Sequence, residues 1–465
     1  MASGGLTGGM RGAIVPGRGL PRAFPVSPAP HRMSPRNHRA LPALLAALLA
    51  PAALAAQSSD ARVSAAAGRV APAMVEVRHQ IHQHPELGNR EFHTAQLVAD
   101  HLRALGIEVR TGVAHTGVVG ILRGGRPGPV VAVRADMDAL PVTENTPYPW
   151  KSTDTTTYLG QKVGVAHACG HDVHTVVQMG VASVLAGMRD QLPGTVVFLF
   201  QPAEEGSPPG EEGGAKLMLA EGAFTLRPSA VFGLHTFARM DVGRIGYTPG
   251  PAMAASDKFM VTIHGRQAHG ASPELSVDPV VTAAQVVMAL QTIRSRNLSP
   301  FEPSVVTVGM IRGGERFNII PAEVRLEGTV RTFSPATQDT VERRMREILD
   351  GITHASGATY TMEYQRTTPV TENNVALAKR MRPTLDRVMG AANVSEIPPT
   401  TGAEDFAFFS NAVPGFFYRL GTVKPGTVSG DHHTPTFMAD DASIPIGIRV
   451  MSDLLLDYLK GGAAQ

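Results

Sequence analysis

The chain has 465 residues, 43% of them hydrophobic and 18% charged, enough for two domains with sizeable cores. Its formal charge of +2 comes from residues 1–56, where six arginines face no acid. Without them the remainder carries −4, and a mildly acidic body argues against nucleic acid or an anionic membrane as partner. A single cysteine rules out an internal disulfide scaffold.

Residues 1–56 read as a leader, with Met33 a candidate start. From residue 33 onward, Arg36 and Arg39 precede an Ala/Leu-rich run, and Ala53 and Ala55 have the A-x-A spacing of a signal-peptidase site. The run is short and holds Pro42 and Pro51, so export is expected rather than a spanning helix, with no stable membrane association after cleavage.

Helical spacing of apolar residues is expected over 73–87 and 93–106, the second stopped by Gly106. The β-branched runs 117–122, 130–138, 194–205 and 230–236 alternate with helices 172–189 and 212–222. That alternation predicts an α/β fold with a largely parallel, doubly wound sheet over 70–245. From 246 to 366 the texture becomes α+β. Alternating strands at 256–265, 304–311, 322–333 and 358–364 accompany helices 278–295 and 336–355. This block reads as an inserted domain, an antiparallel sheet with two helices. The αβ texture returns over 367–465 with helix 374–390, a strand near 415–421 and helix 444–459.

Three predicted strands run into chemistry: Asp136 and Asp138 after the first, Glu204 and Glu205 after the second, His235 on the third. Ligands bind beyond the carboxyl ends of strands in open α/β sheets. The only cysteine, Cys169, stands in "HACGHD" beside His171, just before a helix. Three readings compete for it: a metal ligand, a buried structural thiol, or a nucleophile paired with histidine. Carboxylates and histidines on neighbouring strand ends favour metal. Adjacent glutamates point apart, so one can bind a metal while the other carries protons. In "GDHHTPTF" (430–437) a tandem His432–His433 could close such a site.

The segments "RHQIHQHPELG" (78–88), "RADMDALP" (134–141), "HACGHDVH" (167–174), "FQPAEEG" (200–206), "GLHT" (233–236), "GRQAHGASPELSVDP" (265–279), "FNIIP" (317–321), "GTVRTF" (328–333), "GAEDF" (402–406) and "HTPTF" (433–437) occur in one order across nearly everything after the leader. In this the chain resembles the M20 metallopeptidase family, in its branch of N-acyl-amino-acid amidohydrolases that includes hippurate and auxin-conjugate hydrolases. The resemblance implies two divalent ions per subunit, zinc or manganese with cobalt or nickel as further candidates. Cys169, His171, Glu205, His235 and His433 would be the ligands, Cys169 bridging where other branches use aspartate. Those branches also have a ligand histidine where this chain has Asp136, and His171 would supply that imidazole. Asp138 would orient a ligand, Glu204 would act as general base, and His269 would reach the partner's site to stabilise the oxyanion. Asn318 and Arg331 would hold the substrate carboxylate, and the inserted domain would make a homodimer contact.

The expected function is hydrolysis of small N-acyl-amino acids. The alternatives are a dipeptidase or carboxypeptidase on the same scaffold, a thiol enzyme using Cys169, and a non-catalytic binding protein for acylated amino acids.

Overall fold

The computed structural model describes residues 59–462, so the leader and Met33 lie outside the described residues. The helix expected from 73 begins at Ser59 and runs to Gln83 through Pro72. Val63, Ala67, Ala71 and Met74 are all buried, and this 4-4-3 spacing carries one apolar stripe across the proline. The helix stops at His84, the residue before Pro85, where helical backbone is disfavoured.

The main sheet has eight strands. Gly117–Arg123, Pro193–Gln201, Arg126–Asp136, Val231–Asp241 and Gly415–Val423 lie next to one another in that spatial order. The last four of these are mutually parallel, while Gly117–Arg123 is antiparallel to its neighbour. The short strands Glu108–Val113, Ile245–Tyr247 and Val394–Glu396 complete the edges. The sheet is therefore parallel at its centre and mixed at its margins.

Strand Pro193–Gln201 is buried on both faces, which explains its continuous apolar run. Val196, Phe198 and Phe200 join one core, and Val197 and Leu199 join the other. Helices Ser59–Gln83, His171–Ala186 and Ser443–Gly462 contribute to the first core, and Gly214–Ala220 and Phe406–Ala412 to the second. Helix His171–Ala186 is enclosed almost entirely. It approaches the last helix closely at Gly180, where a Cβ would lie 2.4 Å from Ile448 Cδ1. That contact fixes the helix whose first turn carries the cysteine motif.

A second sheet orders Ser304–Arg312, Glu323–Thr332, Ala255–His264 and Thr359–Thr368, all antiparallel. Helices Pro279–Thr292 and Pro335–Ser356 share its separate core. Asp278 and Ser334 cap those helices by accepting their first free backbone N–H groups. Among the described residues no helix is long and apolar enough to cross a membrane.

Candidate metal centre

Five segments bring side chains to one cleft. Asp136 ends its strand, and Asp138 follows it. Cys169 precedes Gly170, whose φ of 85° suits glycine and whose Cβ would lie 2.6 Å from Thr236 Oγ1. His235 lies within strand Val231–Asp241 rather than at its end, opposite Arg419 of the neighbouring strand. Glu204 and Glu205 follow strand Pro193–Gln201 after a left-handed residue, Ala203, with φ 51°. His433, also left-handed, comes from the Gly/Pro loop.

The hydrogen bonds decide which ring nitrogen each imidazole can offer. His171 Nδ1 donates to Asp138 Oδ1 at 3.3 Å, which leaves the buried Nε2, without a hydrogen-bond partner, as the nitrogen available to the cleft. His235 Nδ1 donates to the Thr236 carbonyl at 2.7 Å, leaving Nε2 3.5 Å from Cys169 Sγ. His174 is consumed on both sides. Its Nε2 accepts the Thr236 N–H at 2.8 Å and its Nδ1 donates to Asp136 Oδ1 at 2.5 Å. Asp138 also accepts the Glu205 N–H at 2.9 Å, so it orients two groups at once.

Among the described residues five sets have donor atoms within 4.8 Å of one another: Cys169–His171–His235, Cys169–Glu205–His433, His171–Glu204–Glu205, Asp136–His171–His174 (whose His174 is already engaged on both sides) and Glu204–Glu404–Asp405. Cys169 belongs to two of them, the position a bridging thiolate requires. Glu205 Oε1 pairs with His433 Nε2 at 3.0 Å and lies 3.9 Å from His171 Nε2. Converging donors of nitrogen, sulfur and carboxylate type fit divalent metal.

His432, left out of the ligand set, lies beside it. Its Nε2 accepts the Ala238 N–H at 3.2 Å, so the protonated Nδ1 faces Cys169 Sγ at 3.7 Å. It is placed to hydrogen-bond the sulfur. Asp172 leaves the cleft, bonded to Arg78 Nε at 2.8 Å and His82 Nδ1 at 2.9 Å, and so ties the cysteine helix to the first helix. His167 is buried and held neutral by desolvation, its pKa lowered to about 3.

Electrostatics separate the readings of Cys169. Burial, with Glu205 and Glu204 nearby, pushes the thiol well above its usual range. A thiol nucleophile needs the opposite shift, so this environment weighs against one and suits a sulfur that ionises only against cations. Burial opposes protonation of His171, but Asp136, Asp138 and Glu205 outweigh it and raise its pKa to about 10, a measure of how strongly this pocket attracts positive charge. Burial, then Glu404, Glu205 and Asp405, hold the Glu204 carboxyl well above the carboxylate range.

Two residues with no role assigned from sequence support the site. Arg134, fully buried, bonds Gln201 (2.7 Å), Glu404 (2.8 Å) and Asp405 (2.9 Å) and pairs with Asp136 (2.7 Å). An arginine inside the apolar strand "VVAVRADMD" was its only signal. Glu91, also buried, accepts the Ala203 N–H at 2.8 Å and the Thr116 hydroxyl. It holds the left-handed turn that delivers Glu204 and Glu205.

The cleft encloses about 710 Å³ and is lined by Cys169, Glu204, Glu205, His235, His433 and Arg331, among others. Arg331, from the second sheet, is steadied by Ser256 Oγ at 2.6 Å. His269 and Asn318 do not line it. They adjoin each other on a short ladder, Ala268–His269 with Ile319–Ile320, where His269 is exposed and Asn318 Oδ1 has no hydrogen-bond partner.

The sequence model of Peptidase family M20/M25/M40 matches residues 132–457. The chain is 36% identical to IAA-amino acid hydrolase ILR1-like 2 of Arabidopsis thaliana, over 84% of this chain and 86% of that protein. It is 36% identical to thermostable carboxypeptidase 1 of Saccharolobus solfataricus, over 80% of this chain and 92% of the relative. The crystal structure of Bacillus subtilis YxeP, a dinuclear metal binding peptidase from the M20 family, superposes with a TM-score of 0.72 at 31% identity, covering 84% of this chain and 99% of that one.

Glu91→Ala would leave the Ala203 N–H unpaired and the left-handed alanine unsupported, a cost of about 2–4 kcal/mol in thermal or urea unfolding. Adding Ala203→Gly should recover about 1 kcal/mol and part of the lost turnover, because glycine adopts that φ without strain. A double variant no better than Glu91→Ala would show that Glu91 does not act through this turn.

Proposed function

This chain belongs to peptidase family M20/M25/M40, and on that premise we propose that it is a dinuclear metallo-amidohydrolase that splits N-acyl-amino acids into a carboxylic acid and an amino acid. It is a hydrolase acting on amides. The observation that carries the finer reading is the convergence of the Cys169, His171, Glu205 and His235 donor atoms beside Glu204, in a cleft that Arg331 also lines.

Cys169, His171, Glu205, His235 and His433 would hold two divalent ions, zinc or manganese with cobalt or nickel as alternatives, Cys169 bridging. YxeP's dinuclear character supports the pair. Such ions would supply Lewis acidity toward water and the amide carbonyl and would lower the pKa of nearby acids. The chain's own groups do the rest. Glu204, half-buried and accepting the Asp405 N–H at 3.4 Å, takes the proton of the attacking water and returns it to the leaving amine. Asp138 keeps the His171 tautomer fixed while charge moves. Arg331 holds the amino acid's carboxylate as a fork-shaped donor, and Asn318, beside His269 and outside its own chain's cleft, would join it only from a partner subunit.

His269 lies outside its own chain's cleft, which supports action in a homodimer, where it would stabilise the oxyanion of the partner's site. The second sheet offers a route. Ser304–Arg312 is an edge strand, and Ile311 on it and Val281 and Met288 on the adjoining helix are exposed. Unpaired edges with apolar neighbours favour strand pairing across a two-fold. The basic, Ala/Leu-rich stretch 33–57 supports export to the periplasm or beyond. The likeness to a carboxypeptidase supports a second reading, cleavage of a C-terminal residue from a peptide, in which Arg331 keeps the same task.

Glu204→Gln should retain metal by elemental analysis and lose at least about a hundredfold in kcat on N-acyl-amino acids. Retained turnover would remove Glu204 as base. Mixing inactive His269→Ala with inactive Glu204→Gln protein should restore some activity through hybrid dimers with one intact composite site. No recovery after subunit exchange would contradict a role in trans.

A further inference from the structure

Strand Gly415–Val423 is buried along its whole length, yet it carries Arg419 in the run "GFFYRLG". Arginine is almost never so enclosed unless it is paired. Three arginines are buried among the described residues, and two of them have acidic partners: Arg78 with Asp172 and Asp441, and Arg134 with Asp136, Glu404 and Asp405. Arg419 has no carboxylate in contact. Among the described residues its side chain meets one acceptor, the thioether of Met253, which is a weak one. Burial opposes the charge on all three. The partners of Arg78 and Arg134 outweigh it and raise their pKa, whereas for Arg419 burial prevails and the pKa falls.

The guanidinium is oriented without using its N–H groups. Its central carbon lies 5.4 Å from the Phe417 ring centre and 5.9 Å from that of Phe237, so two aromatic faces hold the cation. It lines the metal cleft, opposite His235 in the strand register. A second unsatisfied group stands on the other side of Met253. Thr400 bridges to Met253 through the backbone and lines the same cleft, and its buried Oγ1 has no hydrogen-bond partner. Of the other arginines in the cleft, Arg239 pairs with Asp431, while Arg331 meets only neutral oxygens, of Ser256, Thr329 and Val330. Arg331 and Arg419 therefore both line the cleft without an anion in contact. A substrate with one carboxylate satisfies one of them.

We infer that Arg419, with the Thr400 hydroxyl across Met253 from it, receives a second anionic group of the substrate, so that the preferred N-acyl-amino acids carry a carboxylate beyond the one at Arg331. This rests on the proposed amidohydrolase function and adds a substrate class to it. A planar fork whose N–H groups are free suits a carboxylate through two parallel hydrogen bonds. Enclosure by protein strengthens such bonds. The second carboxylate can belong to the amino acid or to the acyl group, and the choice of substrates separates the two.

The test compares the metal-loaded protein on two pairs of substrates. N-acetyl-L-glutamate and N-acetyl-L-glutamine vary the amino acid, and N-glutarylglycine and its terminal amide vary the acyl group, so charge is the main difference within each pair. In the wild type kcat/KM for at least one acid should exceed that for its amide by about tenfold or more, and that pair tells which side carries the group. Arg419→Met should cut this ratio by about tenfold or more. Its thermal midpoint should be unchanged or higher, because the variant removes an unpaired buried charge. Calorimetry with succinate, glutarate and adipate beside butyrate needs no turnover. At least one diacid should bind about tenfold more tightly than butyrate and lose that margin in Arg419→Met. Equal hydrolysis of acid and amide in both pairs, a ratio unmoved in the variant, or a lowered midpoint would overturn the second anion site and leave the amidohydrolase reading standing. If no N-acyl-amino acid is hydrolysed but the diacid margin disappears in the variant, the amidohydrolase reading fails and the anion site stands.

Discussion

The cleft depends on hydrogen bonds made at the far side of each donor. Asp138 on His171 and the Thr236 carbonyl on His235 decide which nitrogen faces inward. The Ala238 N–H does the same for His432. An imidazole free to rotate would offer either nitrogen and would pay ordering entropy on binding. One pinned by its neighbour offers one lone pair in one direction. Asp138 couples two such choices, because its second oxygen fixes the backbone of Glu205. The ladder of parallel strands exists, in functional terms, to place these fixing groups within reach of one another.

Charge follows from the same arrangement. Asp136, Asp138, Glu204, Glu205, Glu404 and Asp405 gather around few permanent cations, chiefly the buried Arg134. Arg134 neutralises the inner carboxylates, and the carboxylates around His171 and Cys169 stay in excess although Arg239, Arg331 and Arg419 line the wider cleft. A neutral thiol held up by burial, and an imidazole raised to about 10, are two responses to that one excess. Divalent ions would relieve both, converting the thiol to a ligand and freeing the imidazole of its proton. This is the physical case for metal, and it stands on this chain's own atoms.

Much of this was legible in the sequence. The parallel strands announce themselves as β-branched runs ending in Asp136 and, a few residues on, Glu204, and the lone Cys169 beside His171 stood out among carboxylates. The short edge strands were not legible, because three residues such as Ile245–Tyr247 become a strand only through distant partners. Helix Ser59–Gln83 was cut short at Pro72, since local chemistry cannot show that buried neighbours hold a helix across a proline. Glu91 reaches Ala203 across 112 positions, a contact no spacing rule detects. The hairpin Thr155–Tyr158 with Gln161–Gly164 was not legible either, because Leu159–Gly160 lacks the usual turn signature.

We propose that Cys169, His171, His235, Glu205 and His433 would hold two divalent ions at the ends of these strands. The most direct measurement is a crystal structure of the metal-loaded protein with anomalous difference maps recorded at the metal absorption edge. Two peaks are expected in the cleft, with Cys169, His171, His235, Glu205 and His433 as their protein ligands. A single peak, or a pair in which Cys169 contacts neither ion, would contradict it.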